Sequence, residues 1–429
     1  MRPHAARRLA LLALVSLIAA SVACRWGSGS AGSANGQGPQ AVQEPLRGGP
    51  YPTLILAQAS FWKDAQGKSK PGPARLQIWR QTPDGWQATR LEDPESNVFH
   101  KPILLPDGQI LTIGGERALL KRWRFADGRW TSQTLWERSW GGKFNRLRDI
   151  EIGDVNKDGK DEYVMATHDS GVVAVYSPPT TPGGAPNVVE LDQRPDTFVH
   201  EIEIGDIDGD GINEFFATPS ERNRVNVSQS GQIVMYKWDG QGYEKTVVDP
   251  LTNTHAKEIL VTDIAGHGRP DLLGSIEAQR DGDHIVRPVE IRRYTLGKSG
   301  AFRYDVIATI DDTQCRFLVP GDFDGDGQVE IVAAAFKTGL YMLHQRKDAK
   351  TGKVAWDVRH FETNSSGFEH AAYAADLDGD GRPELYVAAD DQHELNRYVF
   401  APGTGAVTKT RLGSLERDVI TWNIAAGRL

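Results

Sequence analysis

Four nine-residue segments concentrate carboxylates at a spacing suited to a hard cation. Asp154, Asn156, Asp158 and Glu162 form the first set, and Asp206, Asp208, Asp210 and Glu214 the second. Asp322, Asp324, Asp326 and Glu330 form the third, and Asp376, Asp378, Asp380 and Glu384 the fourth. In each, positions 1, 3 and 5 of a tight loop can turn inward together, Gly at position 6 permits the bend, and Glu closes the set at position 9. Calcium takes roughly six to eight hard oxygens, so each loop is expected to cage Ca2+, about four ions in all. Asp-Gly turns also join hairpin strands for backbone reasons alone. Against that plainer reading stand 15 carboxylates gathered into four small volumes, where unneutralised they would repel one another. Oxygen-only ligand sets speak against zinc or copper. An EF-hand is excluded, because its closing Glu comes at position 12 between two helices. A related segment, Asp263–Asp271, has Ala265 and His267 at ligand positions and reads as a structural turn.

A second set of chemically capable residues lies six positions before each loop: Arg148, His200, Lys257, Arg316 and His370. Aligned in a similar frame, two units without an acidic loop contribute His100 and Arg417. Each unit thus offers a cation or an imidazole at one register, beside the acids Asp149, Glu201, Glu258 and Asp418. Converging on one cavity, Arg148, His200, Lys257, Arg316, His370 and Arg417 would form a ligand site for an anion. Among them His100, His200 and His370 are the candidates for a general base. The bland reading is that the basic residues pair with acids of neighbouring units and lock the structure without any ligand.

The elements that must position these residues are strands. An alternating run such as Glu201–Gly205 precedes each loop and an apolar run such as Phe215–Ala217 follows it, which is a hairpin. Two further strand candidates, such as Ile233–Trp238 and Tyr243–Val248, complete a four-stranded meander. Inner strands begin near residues 100, 148, 200, 257, 316, 370 and 417, a spacing of about 47 to 59 residues that fits propeller blades. The last unit has one strand, Arg417–Trp422, before the chain stops. Its missing strands, Pro52–Ala57, Leu76–Arg80 and Trp86–Leu91, sit at the other end, and Pro52–Ala57 mirrors Pro383–Ala388. An open solenoid needs no such complementary ends. The expected fold is all-β: a seven-bladed β-propeller of four-stranded blades, closed by strands from both termini. Inner strands line the axial channel of such a disc, so the acidic turns fall on one face and the basic register at the opposite mouth. The loops after each second strand reach that same mouth, carrying Phe61, Trp62, Lys63, Glu116, His168, Asp169, Glu221, Arg222 and Asn223. From the later units come Glu277, Arg280, Asp281, His284, Lys337, Asp390, Asp391 and His393.

With WD and kelch signatures absent, the acidic-loop repeats resemble the FG-GAP/VCBS family, known from integrin α-subunit heads and many bacterial surface proteins. The likeness is specific in the four complete loops and weak in the other three units. It implies that a backbone carbonyl near position 7 completes each calcium shell, and that the ions are structural. It also implies a binding role of the integrin-head kind. The alternative it offers is enzymatic, since propellers of the VCBS type occur in polysaccharide lyases and sugar dehydratases.

The chain start points to export. Arg2, Arg7 and Arg8 precede the apolar run Leu9–Ala20, which is short for a membrane span, and small residues lead to Cys24. Residues 1–23 are read as a signal peptide of the bacterial lipoprotein kind with Cys24 as the lipidated residue, although Ser21 departs from the usual leucine. Residues 24–49, rich in Gly, Ser and Gln, are a flexible tether, and 50–429 are the propeller. Only Cys315 remains as a second cysteine, so no internal disulfide is available once Cys24 is acylated. The formal charge of −8 would become −11 on loss of Arg2, Arg7 and Arg8, and no basic stripe suggests nucleic acid. The expectation is therefore a monomeric, extracytoplasmic protein held to the bacterial envelope by its lipid alone, or secreted. It would bind a glycan, an anionic ligand or an envelope or surface protein at its channel mouth. Otherwise it would act on carbohydrate with the same His and Arg residues.

Overall fold

The computed structural model describes residues 49–141, 145–181, 183–222, 227–347, 350 and 354–429. The expected signal peptide, Cys24 and all of the tether but Gly49 lie outside the described residues. What is described is all-β: seven four-stranded antiparallel sheets form the blades. Blade 1 runs from its inner strand Phe99–Leu104 to its outer strand Arg129–Arg138, and blade 2 from Leu147–Gly153 to Asn187–Leu191. Blade 3 runs from Thr197–Gly205 to Tyr243–Leu251, and blade 4 from Ala256–Thr262 to Phe302–Ile310. Blade 5 runs from Cys315–Gly321 to Val354–Glu362, and blade 6 from Ala372–Ala375 to Val407–Ser414.

Blade 7 is built from both chain ends. Its inner strand, Val419–Arg428, pairs with Pro52–Lys63, which is followed outward by Ser69–Thr82 and Gly85–Asp93. Thr53 faces Gly427 and Ala57 faces Asn423 in this ladder. Just beyond it, Tyr51 and Leu429 exchange backbone bonds of 2.7 and 3.0 Å. The ring is closed by hydrogen bonds rather than by covalent linkage.

Burial explains the sequence pattern. The second strand of a blade is sandwiched between neighbouring blades, so it reads as a continuous apolar run rather than an alternation. Glu162–Thr167, Glu330–Ala335 and Glu384–Ala389 are buried at every position, including the leading Glu. There is no single core. Each apolar cluster straddles two adjacent blades, as where Ile55 and Leu76 of blade 7 meet Phe99 and Trp123 of blade 1. Trp79, together with Leu54 of blade 7, packs on Tyr386 and Leu395 of blade 6. Closing the ring spares any blade an uncovered apolar face. One feature departs from the simple repeat: the loop after the second strand of blade 4 is itself a hairpin, Gln279–Asp281 with His284–Arg287.

Candidate functional site

A β-bulge inserts an unpaired residue into a ladder and re-aims its side chain. Here the inner strands bulge at one register. The pairing shifts between Phe99 and Lys101, Leu147 and Asp149, Val199 and Ile202, Ala256 and Glu258, and Cys315 and Phe317. His100, Arg148, His200, Lys257 and Arg316 stand at these bulges. His370 holds the corresponding place just before the strand of blade 6, with a left-handed backbone (φ 55°). In blade 7 the shift lies opposite Thr421 and Asn423, so the seventh member is Trp422. Arg417 is exposed and precedes the strand. The sequence alignment placed this blade five residues early, because a bulge is defined by the partner strand, here from the other end of the chain.

The six polar members are all buried. Arg148 and Arg316 share one carboxylate: Glu369 Oε2 accepts from Arg148 at 3.3 Å and from Arg316 Nε at 3.1 Å. Arg148 also lies over the Trp422 ring at 5.1 Å, and His100 meets the same ring edge-on at 4.7 Å. Lys257 Nζ is 3.2 Å from His200 Nε2, which is 3.0 Å from Ser220 Oγ. His168 stacks on Phe198 at 4.1 Å and borders His200 at 5.6 Å, and His255 lies 5.5 Å from His200 on its other side. Burial and nearby cations hold these imidazoles neutral: His168 falls to about 3, and His100, His200 and His255 lie well below the ordinary value. Burial, reinforced by Arg316, lowers Lys257 to about 7. His370 donates from Nδ1 to the Ala335 carbonyl at 2.6 Å and accepts from Ser365 at 2.7 Å, so both its nitrogens are engaged. His100 Nδ1 likewise donates to the Leu147 carbonyl.

Several contacts in this layer are long. His168 Nδ1 lies 3.8 Å from Asp169, His255 Nε2 lies 3.4 Å from Glu277, and Arg316 Nη1 lies 3.9 Å from Glu277 Oε1. His168 Nδ1, Glu277 Oε1 and Trp422 Nε1 are buried with no hydrogen-bond partner.

Beneath it sits an acidic layer on the same strands. Lys101 pairs with Asp149 at 2.9 Å and with Glu151. Burial raises Glu201 and Glu203 well above the carboxylate range, and repulsion from neighbouring acids adds to this. Several channel acids also stitch blades together. Asp149 accepts from Ile202 N at 2.8 Å, Glu258 from Leu318 N at 3.2 Å, and Asp390 from Thr421 N at 2.8 Å.

The mouth loops surround this centre. Over blade 3 they leave a groove of about 680 Å³ walled by Arg194, Asp196, Glu221 and Arg222, with Ser220, the partner of His200, in its lining. Trp62 is exposed and Phe61 half-buried. Asp391 is tied to Ser366, and Glu116 accepts from Asn97. Asn223 lies outside the described residues.

On the opposite face the four acidic turns share a frame. The Asp at position 1 accepts from the position-6 glycine: Gly159, Gly211 and Gly381 at 2.9 Å and Gly327 at 3.0 Å. The buried Glu at position 9 turns Oε2 to the backbone N–H of position 2, at 3.3, 3.0, 2.9 and 3.1 Å for Glu162, Glu214, Glu330 and Glu384. Its other oxygen is left facing the loop. The carboxylates of Asp206, Asp208 and Asp210, of Asp322, Asp324 and Asp326, and of Asp376, Asp378 and Glu384 each converge within 4.8 Å. Oxygen sets of this kind are what a hard divalent cation takes. The Asp263–Asp271 turn keeps the glycine bond, from Gly268 at 2.6 Å, but Asp271 is bound by Arg293 at 2.9 Å.

Residues 294–387, which include the loops of blades 5 and 6, match the FG-GAP-like repeat family. No curated protein matches the chain. Among solved structures, a 6-phosphogluconolactonase candidate from Bacteroides uniformis is similar at a TM-score of 0.54 and 11% identity, covering 88% of this chain and 100% of that one. A second such candidate, from Bacteroides fragilis, gives a TM-score of 0.52 at 12% identity, covering 90% of this chain and 100% of that one. At these identities the likeness shows the fold alone.

Proposed function

We propose that this chain, an FG-GAP-type β-propeller, is a calcium-binding envelope or secreted module that takes an anionic ligand at its channel mouth. A glycan bearing carboxylates, or an acidic surface of an envelope protein, has the matching chemistry. The observation that carries the reading is the set of buried polar atoms left without partners beside three cations, Arg148, Lys257 and Arg316. Buried polar groups are nearly always satisfied, and each one left unmade costs about 1–3 kcal/mol. A polar guest entering over blade 3 would restore those bonds and add a counter-charge. Calcium at the acidic turns would brace the hairpins that carry the opposite ends of the same inner strands.

The enzymatic reading is favoured by one contact, His200 beside both Lys257 and Ser220. A neutral imidazole next to a cation is suited to removing a proton adjacent to a carboxylate. Of the three histidine candidates, His200 alone is bonded to a residue of the groove.

The test is thermal unfolding against a panel of acidic and neutral oligosaccharides. Stabilisation by an acidic sugar, lost in the His200→Ala and Arg316→Ala double variant, is the expected result. Unchanged melting across the panel would redirect the reading to a protein partner. Growth of an unsaturated, ultraviolet-absorbing product would favour the enzyme. Export and acylation at Cys24 are checked by labelling with a fatty-acid analogue, which Cys24→Ala should abolish.

A further inference from the structure

The four acidic turns share one frame in sequence, yet the surroundings of the closing Glu's second oxygen differ in each. In blade 2, Glu162 Oε1 accepts from the Asn156 amide at 2.9 Å. In blade 3, Glu214 Oε1 likewise has no hydrogen-bond partner, but it lies 3.1 Å from the Lys237 ammonium, which also binds Asp210 at 2.6 Å and Asp208. In blade 6, Glu384 Oε1 accepts from the Arg397 guanidinium at 2.7 Å, and Arg397 reaches Asp378 as well. In blade 5, Glu330 Oε1 has no partner, although the residue is fully buried. Asp322 Oδ1 is buried and unpartnered in the same loop. A basic group beside this set is His344, with Nε2 3.7 Å from Asp326.

Lys237 and His344 both stand on the third strand of their blades, each one residue beyond the partner of the first apolar residue after the closing Glu. In blades 3 and 5 the same third-strand position thus supplies the group beside the turn, whereas in blade 6 Arg397, paired with Tyr386, reaches its turn from two residues earlier on that strand. An ammonium supplies a resident positive charge where an ion would sit, and a divalent cation would have to displace it from carboxylates that already neutralise it. An imidazole can instead turn a lone pair toward an ion. The ligand atoms of Asp324, Glu330 and His344 lie within 4.8 Å of one another.

We infer that the turns are not equivalent: Lys237 and Arg397 take the place of metal in blades 3 and 6, and the blade-5 turn is the principal ion site, with His344 as a nitrogen ligand. The inference rests on the metal reading of the acidic turns and corrects its number. Blade 2, with Asn156 for Asp and its closing Glu already bonded, is the weaker candidate. A mixed oxygen–nitrogen set also admits Mn2+.

The experiment is equilibrium dialysis of the full protein against Mn2+ and, separately, Ca2+, with Mn2+ environment read by pulsed electron paramagnetic resonance. Wild type should retain one tight ion, or two with the second at least tenfold weaker. Glu330→Gln should lose the tight ion, and Lys237→Met and Arg397→Met should each add one. Nitrogen modulation from imidazole should be present in wild type and absent in His344→Gln, which still folds if its circular dichroism matches. Four equivalent ions in wild type, or no gain in either Met variant while wild type binds, would overturn the inference and leave the metal reading standing. No ion in any variant would remove the metal reading itself.

Discussion

The two faces of the disc handle charge in opposite ways. At the acidic face the carboxylates are of one sign, largely solvent-facing, and need cations brought from outside or from a neighbouring strand. At the mouth both signs are buried together, as where Glu369 lies between Arg148 and Arg316. Repetition of a motif thus says little about energetics. At the mouth, partners of opposite sign converge into an ionic lock, whereas at the turns carboxylates of one sign gather.

The largest way to break this contrast is at the lock. Glu369→Ala leaves two buried guanidinium groups without their shared partner, and removing one member of a buried pair costs about 3–5 kcal/mol. Urea unfolding measures it. A loss under ~1 kcal/mol would mean the mouth is as well screened as the rim. Next, a divalent ion held at about a hundred times its Kd should stabilise the chelator-treated protein by about 2.7 kcal/mol per site. The same increment should appear in Glu369→Ala, since the two faces share no partner.

Acid should act on the mouth. Burial holds His370 at about 4. The unfolded chain therefore takes up the proton first, and stability present above pH 6.5 is lost as pH falls toward 4. For one such group this is on the order of 2–3 kcal/mol. His370→Gln should lessen that limb of the stability–pH curve by one group's share, since His100, His168, His200 and His255 are held neutral as well. Lys257 acts at the alkaline end: lowered from 10.5 to about 7, it makes stability rise with pH between those values. A Lys257→Met variant should remove that rise. The smallest effect is expected at Trp62, which is 55% exposed. Trp62→Ser should change stability by less than ~0.5 kcal/mol. A tenfold or greater loss of sugar affinity in the same variant would extend the ligand site to this loop.

Much of the architecture was legible from the chain. Asp-rich turns recur with strand-like runs on either side, and the split blade announced itself because Pro52–Ala57 repeats the pattern of Pro383–Ala388. Trp79 and Trp86, on the strand candidates Leu76–Arg80 and Trp86–Leu91, pack between blades: Trp86 meets Tyr386 edge-on at 6.4 Å. Less legible was the company each site residue keeps. Glu369 and His255 lie beside His370 and Lys257 in the chain and could have been picked up as polar residues at buried strand starts. Lys101 gave no signal, since the acids it pairs with, Asp149 and Glu151, come from blade 2.

Sequence alone determined the all-β repeat, its sevenfold count and the position of each acidic turn, because turn chemistry and strand alternation are local and survive without a partner strand. Only the tertiary structure decided that Trp422 completes the bulge register, that Glu369 joins two arginines, and that Lys237, Arg397 and His344 meet three turns of the same spelling. Those outcomes depend on strands brought together across blades or chain ends, where separation in sequence carries no information about distance.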